Sequence, residues 1–219
     1  MSKAERTREK ILDAALELFR EHGYEATTMR MVAEQAGVST GNAYYYFASK
    51  DMLLQAFYRE VHDAHVAASA PVLRDAKVFR DRLLGVMLKK LEVIEPYHRF
   101  SALMFRSAAD PRSPLNPFHP AGDDIRHEGE ALFAAVVDGA RPRPPKDLAA
   151  DLPALLWTYS MGMVLYWIHD HSESRQQTRA FIERTVDLVA TSVRLAGNPL
   201  LRPLRRKALA LFRDLAPQR

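Results

Sequence analysis

Between residues 27 and 57 the chain reads TTMRMVAEQAGVSTGNAYYYFASKDMLLQAF, and Gly37 within it narrows the available folds more than any other residue. A glycine just past a helix end adopts a positive φ without steric cost, so it can stop one helix and turn the chain directly into the next. Before it, Thr28 can cap a short helix by accepting from backbone N–H groups, and Val32, Ala33 and Ala36 give that helix one inward face. After it, Val38 is placed to plug the angle between the two helices, and Ser39 caps the second. Two short helices around a glycine turn, followed by a third, have the layout of a helix-turn-helix DNA reader.

The second helix, Thr40 to Tyr46, has little to bury. Thr40, Gly41, Asn42, Tyr44, Tyr45 and Tyr46 place polar groups around most of it, leaving Ala43 and the following Phe47 as its core residues. Such a helix is held by its neighbours and keeps its outer face free for a major groove. Gly41 allows close backbone approach, Asn42 offers a donor and an acceptor to a base edge, and the tyrosine hydroxyls suit phosphates. Ser49 or Lys50 opens the next helix, where free N–H groups and an ammonium favour an anion. Three consecutive tyrosines cannot all face inward, which argues against simple aromatic packing. Arg30, on the exposed side of the preceding helix, is a weaker candidate contact, since a lone arginine is ordinarily solvated.

The run G-V-S-x-G-x-x-Y-Y-Y-F-x-S-K-D resembles the signature of the TetR/AcrR family of bacterial transcriptional regulators. Upstream, TREKILDAALELFREHG from Thr7 to Gly23 is similar to that family's first helix, with Ile11, Ala14, Ala15, Leu18 and Phe19 at helical spacing. Tyr46 stands where relatives often carry histidine. The resemblance is strong over about the first quarter of the chain and rests elsewhere on helical pattern and length. It implies an all-α protein: a three-helix DNA-binding domain over residues 1–50, then a larger helical effector-binding and dimerisation domain over residues 51–219.

Composition agrees with that division. The 219 residues are 47% hydrophobic, enough for a sizeable core, and contain no cysteine, which excludes a disulfide framework and a thiol nucleophile. The N-terminus MSKAERTREK has no apolar signal core, and the most apolar run, Leu155 to Ile168, is too short for the ~20 residues of a membrane span. A cytoplasmic protein is expected. The net charge of +4 does not mark the reader, because residues 1–60 carry eight basic against nine acidic side chains. The excess lies in residues 198–219, where Arg202, Arg205, Arg206, Lys207, Arg213 and Arg219 face Asp214 alone.

Beyond Lys50 helical stripes recur: Leu53, Leu54, Phe57, Val61, Ala64 and Ala68, then Phe79, Leu83, Val86, Met87, Leu91 and Ile94. The first begins in the reader and ends in the larger domain, so one helix is expected to join them. A short helix from Tyr97 to Ala109 and a loop carrying Pro111, Pro114, Pro117 and Pro120 come next, followed by a helix from about Asp123 to Gly139. The segment Leu152 to His171 is apolar around nearly its whole girth, and the next helix is expected to open with a capping box, Ser174 with Gln177, and to stop at Gly197 and Pro199. Two adjacent long helices with surplus apolar surface suggest a four-helix dimer interface, and the resemblance implies the same homodimer.

The resemblance also implies a ligand cavity in the larger domain. Phe100, Met104, Phe105, Trp157, Met161, Met163, Tyr166 and Trp167 are its expected lining, and the scarcity of charge among them points to a hydrophobic small molecule, although stripes at helical spacing are more often plain core. The functional expectation is therefore a ligand-released repressor that binds a palindromic operator as a homodimer. Thr40, Asn42 and Arg30 would read bases, with Thr28, Ser39, Gly41, Tyr44, Tyr45, Tyr46 and Lys50 supporting contact with the backbone.

Two rivals come from other classes. A metal-dependent enzyme would draw on His62 with His65, one turn apart, or on His169 and His171 around Asp170. Neither pair has a third ligand by spacing, these histidines read as solvated or capping, and no nucleophile elbow or phosphate-cradling loop exists, so no catalysis, metal or cofactor is expected. A membrane-surface protein would use Leu201, Leu204, Ala208, Leu211, Phe212 and Leu215 as one face of a basic C-terminal helix. The blander expectation, an extra helix docked on the larger domain and no membrane, is preferred because the helix is brief.

Overall fold

A computed structural model of the protein describes residues 2–98, 101, 105, 110, 112, 113 and 116–215, and the described residues form helices without any strand. They fall into two compact units, Met1–Asp63 with Ile94–Ile125, and Ala64–Val93 with Arg126–Arg219. The expected division at residue 50 lies inside the first unit, because the helix that starts there, α4 (Lys50–Asp75), runs unbroken for 26 residues and packs its first turns with the reader.

The first unit is built by α1 (Lys3–His22), α2 (Met29–Gln35), α3 (Thr40–Tyr46) and the beginning of α4. A capping box opens α1: Ser2 Oγ accepts from Glu5 N at 3.1 Å, and the Glu5 carboxylate accepts from Ser2 N at 2.6 Å. Ile11, Leu12, Ala15 and Phe19 of α1 then meet Val32, Ala33, Ala43, Phe47, Leu53, Leu54 and Phe57 in one core. Each large member of this set stabilises the unit by roughly 1.5–3 kcal/mol through burial. The chain returns to the same core after α5, where Tyr97 packs edge-on against Phe57 with ring centroids 4.6 Å apart.

In the second unit α5 (Phe79–Ile94), α6 (Asp123–Asp138), the single turn α7 (Lys146–Ala149), α8 (Leu152–Ile168), α9 (Gln176–Leu195) and α10 (Arg202–Leu215) surround a separate core. Arg82 of α5, 3% exposed, fastens two helix ends. Its guanidinium donates to the carbonyls of Leu73 and Ala76 at the end of α4 and to those of Ala135 and Val136 in the last turn of α6, all within 2.6–2.9 Å. Four carbonyls at two helix ends thereby serve the guanidinium, which has no acid partner among the described residues and needs acceptors for its buried donors. Gly139 makes room for it: a Cβ there would lie 2.1 Å from the guanidinium.

Three expectations need correction. On α4 the stripe drifts after Val61, so Ala64 is exposed and Ala68 half-buried, while His65 and Ser69 face inward. Drift follows from a helix of 3.6 residues per turn changing neighbours along its length. His62 and His65 are consequently 6% and 3% exposed instead of solvated, and the His65 ring lies 2.9 Å from the Val86 carbonyl of α5. The cap of α9 is also different. Ser174 sits at φ 49° in a 3-10 turn, Glu173–Arg175, and makes no capping box.

Asp170 does that work from outside the helix. Its carboxylate accepts from Thr178 N and Thr178 Oγ1 at 2.8 and 2.7 Å, and from Ser172 N and Ser172 Oγ at 2.8 and 2.6 Å. It is 3% exposed yet close beneath the surface. Burial pushes its pKa upward, but these four donors outweigh that and hold it well below the usual carboxylate range. Asp170 is thus committed to starting α9, which removes it from the metal set that its flanking histidines suggested.

The C-terminal helix docks within the second unit. Arg205 reaches Asp147 of α7 at 2.9 Å and Arg213 reaches Asp151, just before α8, at 2.7 Å. Of its apolar positions Leu209 is covered, whereas Leu204 and Leu211 stay 66% and 60% exposed. No helix among the described residues is long and apolar enough to cross a membrane.

Candidate nucleic-acid interface

The reader begins with the local chemistry expected of it. Thr28 Oγ1 accepts from Met31 N at 3.2 Å to cap α2, and Ser39 Oγ accepts from Asn42 N at 3.2 Å to cap α3. Between them Gly37 takes φ 68°, a conformation that a side chain would strain. Val38 is half-buried against the core, as the turn requires.

Only Ala43 of α3, with Phe47 at its end, is fully covered. Thr40, Gly41 and Asn42 are exposed, Tyr44 is 50% exposed and Tyr45 82%. Arg30 and Thr28 of α2 are exposed as well, so the polar set is presented by two consecutive helices of one unit. Tyr46 differs from the other two tyrosines. It is half-buried, packs against the core, and stands edge-on to Tyr45 at 5.3 Å, so it also braces its neighbour.

Gly41 separates a structural from a functional requirement. A Cβ built on it meets no atom within 4 Å, and its φ is not in the left-handed region, so nothing inside the protein demands glycine there. Glycine costs a helix about 1 kcal/mol relative to alanine. Glycine here leaves the backbone of α3 open to close approach from outside.

Lys50 is placed differently from the free cation that its sequence position suggests. Its ammonium donates to the Tyr24 carbonyl at 2.7 Å and lies 4.4 Å from the centre of the Tyr24 ring. Tyr24 in turn donates its hydroxyl to Asp51 at 2.5 Å, and burial together with that carboxylate pushes the phenol pKa well up. Ser49 caps α4 through Met52 N at 3.3 Å. Lys50 and Asp51 therefore staple the start of α4 to the link between α1 and α2, a pairing that spacing alone could not reveal because 26 residues separate the partners. An ammonium has three N–H bonds, and one remains after the Tyr24 and Glu25 carbonyls are served.

The expected ligand lining is scattered. Trp157, 7% exposed, packs against α6, where a Cβ on Gly129 would lie 2.8 Å from its ring. Met163 and Trp167 are buried and Met161 is half-buried. Tyr166 is 39% exposed and stacks on Phe181 of α9 at 4.5 Å, and Phe105 is 37% exposed. Phe100 and Met104 lie outside the described residues, as does most of the expected helix from Tyr97 to Ala109. One face of α8 is left open: Thr158, Gly162, Leu165 and Tyr166 are exposed, and Leu188 and Leu195 of α9 are 66% and 53% exposed.

Comparison with known proteins agrees with this architecture. Residues 11–57 match the family description "Bacterial regulatory proteins, tetR family", and residues 82–209 match "Tetracyclin repressor-like, C-terminal domain". The HTH-type transcriptional repressor KstR2 of Mycolicibacterium smegmatis is 30% identical over 91 residues, 42% of this chain and 44% of that protein, so the match spans under half of this relative's length. Among solved structures, a TetR regulator from Nitrosomonas europaea superposes with a TM-score of 0.67 at 20% identity, over 84% of this chain and 97% of its own. FadR from Bacillus subtilis, solved in complex with stearoyl-CoA, gives 0.65 at 16% identity over 83% and 97%. With an exposed polar α3 set on a capped glycine turn, and with family matches covering both the reader and most of the remaining chain, this protein belongs to the TetR family of bacterial transcriptional regulators.

Proposed function

We propose that the protein is a cytoplasmic repressor that binds a palindromic operator as a homodimer and leaves it when a small molecule occupies the larger domain. The exposed face of α3 carries this reading: Thr40, Gly41, Asn42, Tyr44 and Tyr45 are presented outward by a helix with only one covered residue of its own. Thr40, Asn42 and Arg30 read base edges, while Thr28, Ser39, Tyr44, Tyr45, Tyr46 and Lys50 set the register on the phosphates. The open apolar face of α8 and α9 supports the dimer, because Gly162 permits close approach of a second helix and Leu165, Leu188 and Leu195 supply surface to bury. Proteins of similar sequence and fold are repressors or hold an acyl thioester, which supports an apolar effector.

Cross-linking in the native host followed by recovery of bound fragments tests this. A few sharp peaks sharing a palindrome, lost in an Asn42→Ala strain, are expected. Diffuse coverage that Asn42→Ala leaves unchanged would contradict the reading.

A further inference from the structure

The C-terminal helix is fastened to the second unit in an orientation that leaves a row of leucines outside. Arg205 of α10 donates to the Asp147 carboxylate through Nε and Nη2 at 3.0 and 2.9 Å, and Arg213 donates to Asp151 through Nη2 at 2.7 Å. Leu209 is buried on the same side, and Leu201 and Phe212 are half-covered. At about 100° per residue, Leu204 and Leu211 fall roughly 140–160° around the helix from Leu209. Both are exposed, and Leu200, on the 3-10 turn Pro199–Leu201 that leads into α10, is 85% exposed. The docked helix of the sequence expectation is present, but it docks by Leu209 and the arginine pairs, and the leucine stripe that was to cover it faces out.

The cations of α10 divide in the same way. Arg205 and Arg213 are neutralised by their partners on the protein, whereas Arg202, Arg206 and Lys207 are exposed and have no acidic partner among the described residues. Asp214 is the one acidic residue of the helix. Lys207, three residues after Leu204 and four before Leu211, stands on the leucine stripe itself. Lys146, exposed and next to Asp147 in the chain, adds a cation where α10 docks. Protruding leucines with uncompensated cations are complementary to an anionic surface that has an apolar interior. Duplex DNA would satisfy the cations but offers the leucines nothing apolar, and α10 of a second copy would set like charges against one another. The helix is strongly amphipathic with low mean hydropathy, and no helix among the described residues is long and apolar enough to span a bilayer, so contact is with the surface of one.

We infer that α10 is a peripheral attachment site for anionic lipid. Leu200, Leu204 and Leu211 enter the boundary between headgroups and acyl chains, while Arg202, Arg206 and Lys207 meet the lipid phosphates. One brief helix with three free cations gives reversible attachment that salt weakens. The site uses no residue of the reader and none of the open α8 and α9 face.

Flotation of the full-length protein with vesicles of phosphatidylcholine, or of phosphatidylcholine and phosphatidylglycerol in equal parts, tests the site. Wild type is expected to bind the anionic vesicles about tenfold or more tightly than the neutral ones, and less tightly as salt rises. Arg206→Gln with Lys207→Gln should erase most of that preference, and Leu204→Ser with Leu211→Ser should lower binding to anionic vesicles at least several-fold, both at wild-type helicity because all four side chains are exposed. The leucine variant separates this site from the other basic residues of the protein, which attract anionic vesicles by charge alone. Equal binding of wild type to both vesicles, or anionic binding that the leucine substitutions leave unchanged, overturns the inference. A shift in oligomeric state of the leucine variant, seen by sedimentation without lipid, also overturns it and assigns the stripe to a second copy of the chain.

Discussion

Gly41 and Asp170 show how a single side chain can be assigned a role by what does or does not surround it. Since no atom of the protein opposes a Cβ at Gly41, Gly41→Ala should raise the unfolding free energy by about 0.5–1 kcal/mol, measured by urea denaturation. Operator affinity should fall by tenfold or more, about 1.4 kcal/mol, if the backbone there meets DNA. Unchanged affinity would place α3 farther from the groove than the account requires. Asp170 is the opposite case, a side chain entirely consumed by internal partners. Its folded pKa lies below its unfolded value of about 3.9, so the stability it contributes is fully present above that pH and is lost as acid protonates it in the folded state. Asp170→Asn should lower stability by about 1–3 kcal/mol at pH 7, and the difference from wild type should shrink as the pH falls below about 4. A gap that stays constant to pH 3 would mean that the carboxylate charge is not what holds the start of α9.

At the scale of elements, the reader was legible in the sequence because its signals are local. Capping by Thr28 and Ser39, the positive φ of Gly37 and the burial of Ala43 and Phe47 each depend on residues within a few positions of one another. What sequence did not show are pairings across long separations: Lys50 with Tyr24, Arg82 with the ends of α4 and α6, and Asp170 eight residues from Thr178 in place of a neat capping box. The inward turn of His65 and Ser69 escaped for a related reason, since polar residues on a stripe read as exposed until the partner helix is known. Tyr97 adds an element-level test. It follows α5 and packs on Phe57 of α4, with the Arg20 guanidinium 5.9 Å from its ring centre. Tyr97→Ala should leave operator affinity within a few-fold while reducing the ligand-induced loss of affinity, by a coupling energy of order 1 kcal/mol in fluorescence anisotropy. Full coupling in the variant would exclude this contact from the transmission of ligand binding.

For the whole molecule, two requirements meet: two readers must be held at a fixed spacing, and a ligand must favour one spacing over another, since equal affinity for both would shift nothing. The open face of α8 and α9 is where the account places the partner protomer. Leu165→Glu, a charge set opposite apolar surface, should convert the dimer to monomer in sedimentation and weaken operator binding at least tenfold without loss of helicity. A Leu165→Glu protein that remains dimeric would move the interface elsewhere. The most direct test of the central claim, that paired copies of α3 read DNA, is selection of bound duplexes from a random pool by the purified protein at near-physiological salt, where non-specific phosphate binding is suppressed. The account predicts enrichment of a palindrome whose half-sites lie about one helical turn apart, with preference at one base pair per half-site relaxed in Asn42→Ala. Failure of the folded protein to enrich any sequence would contradict it.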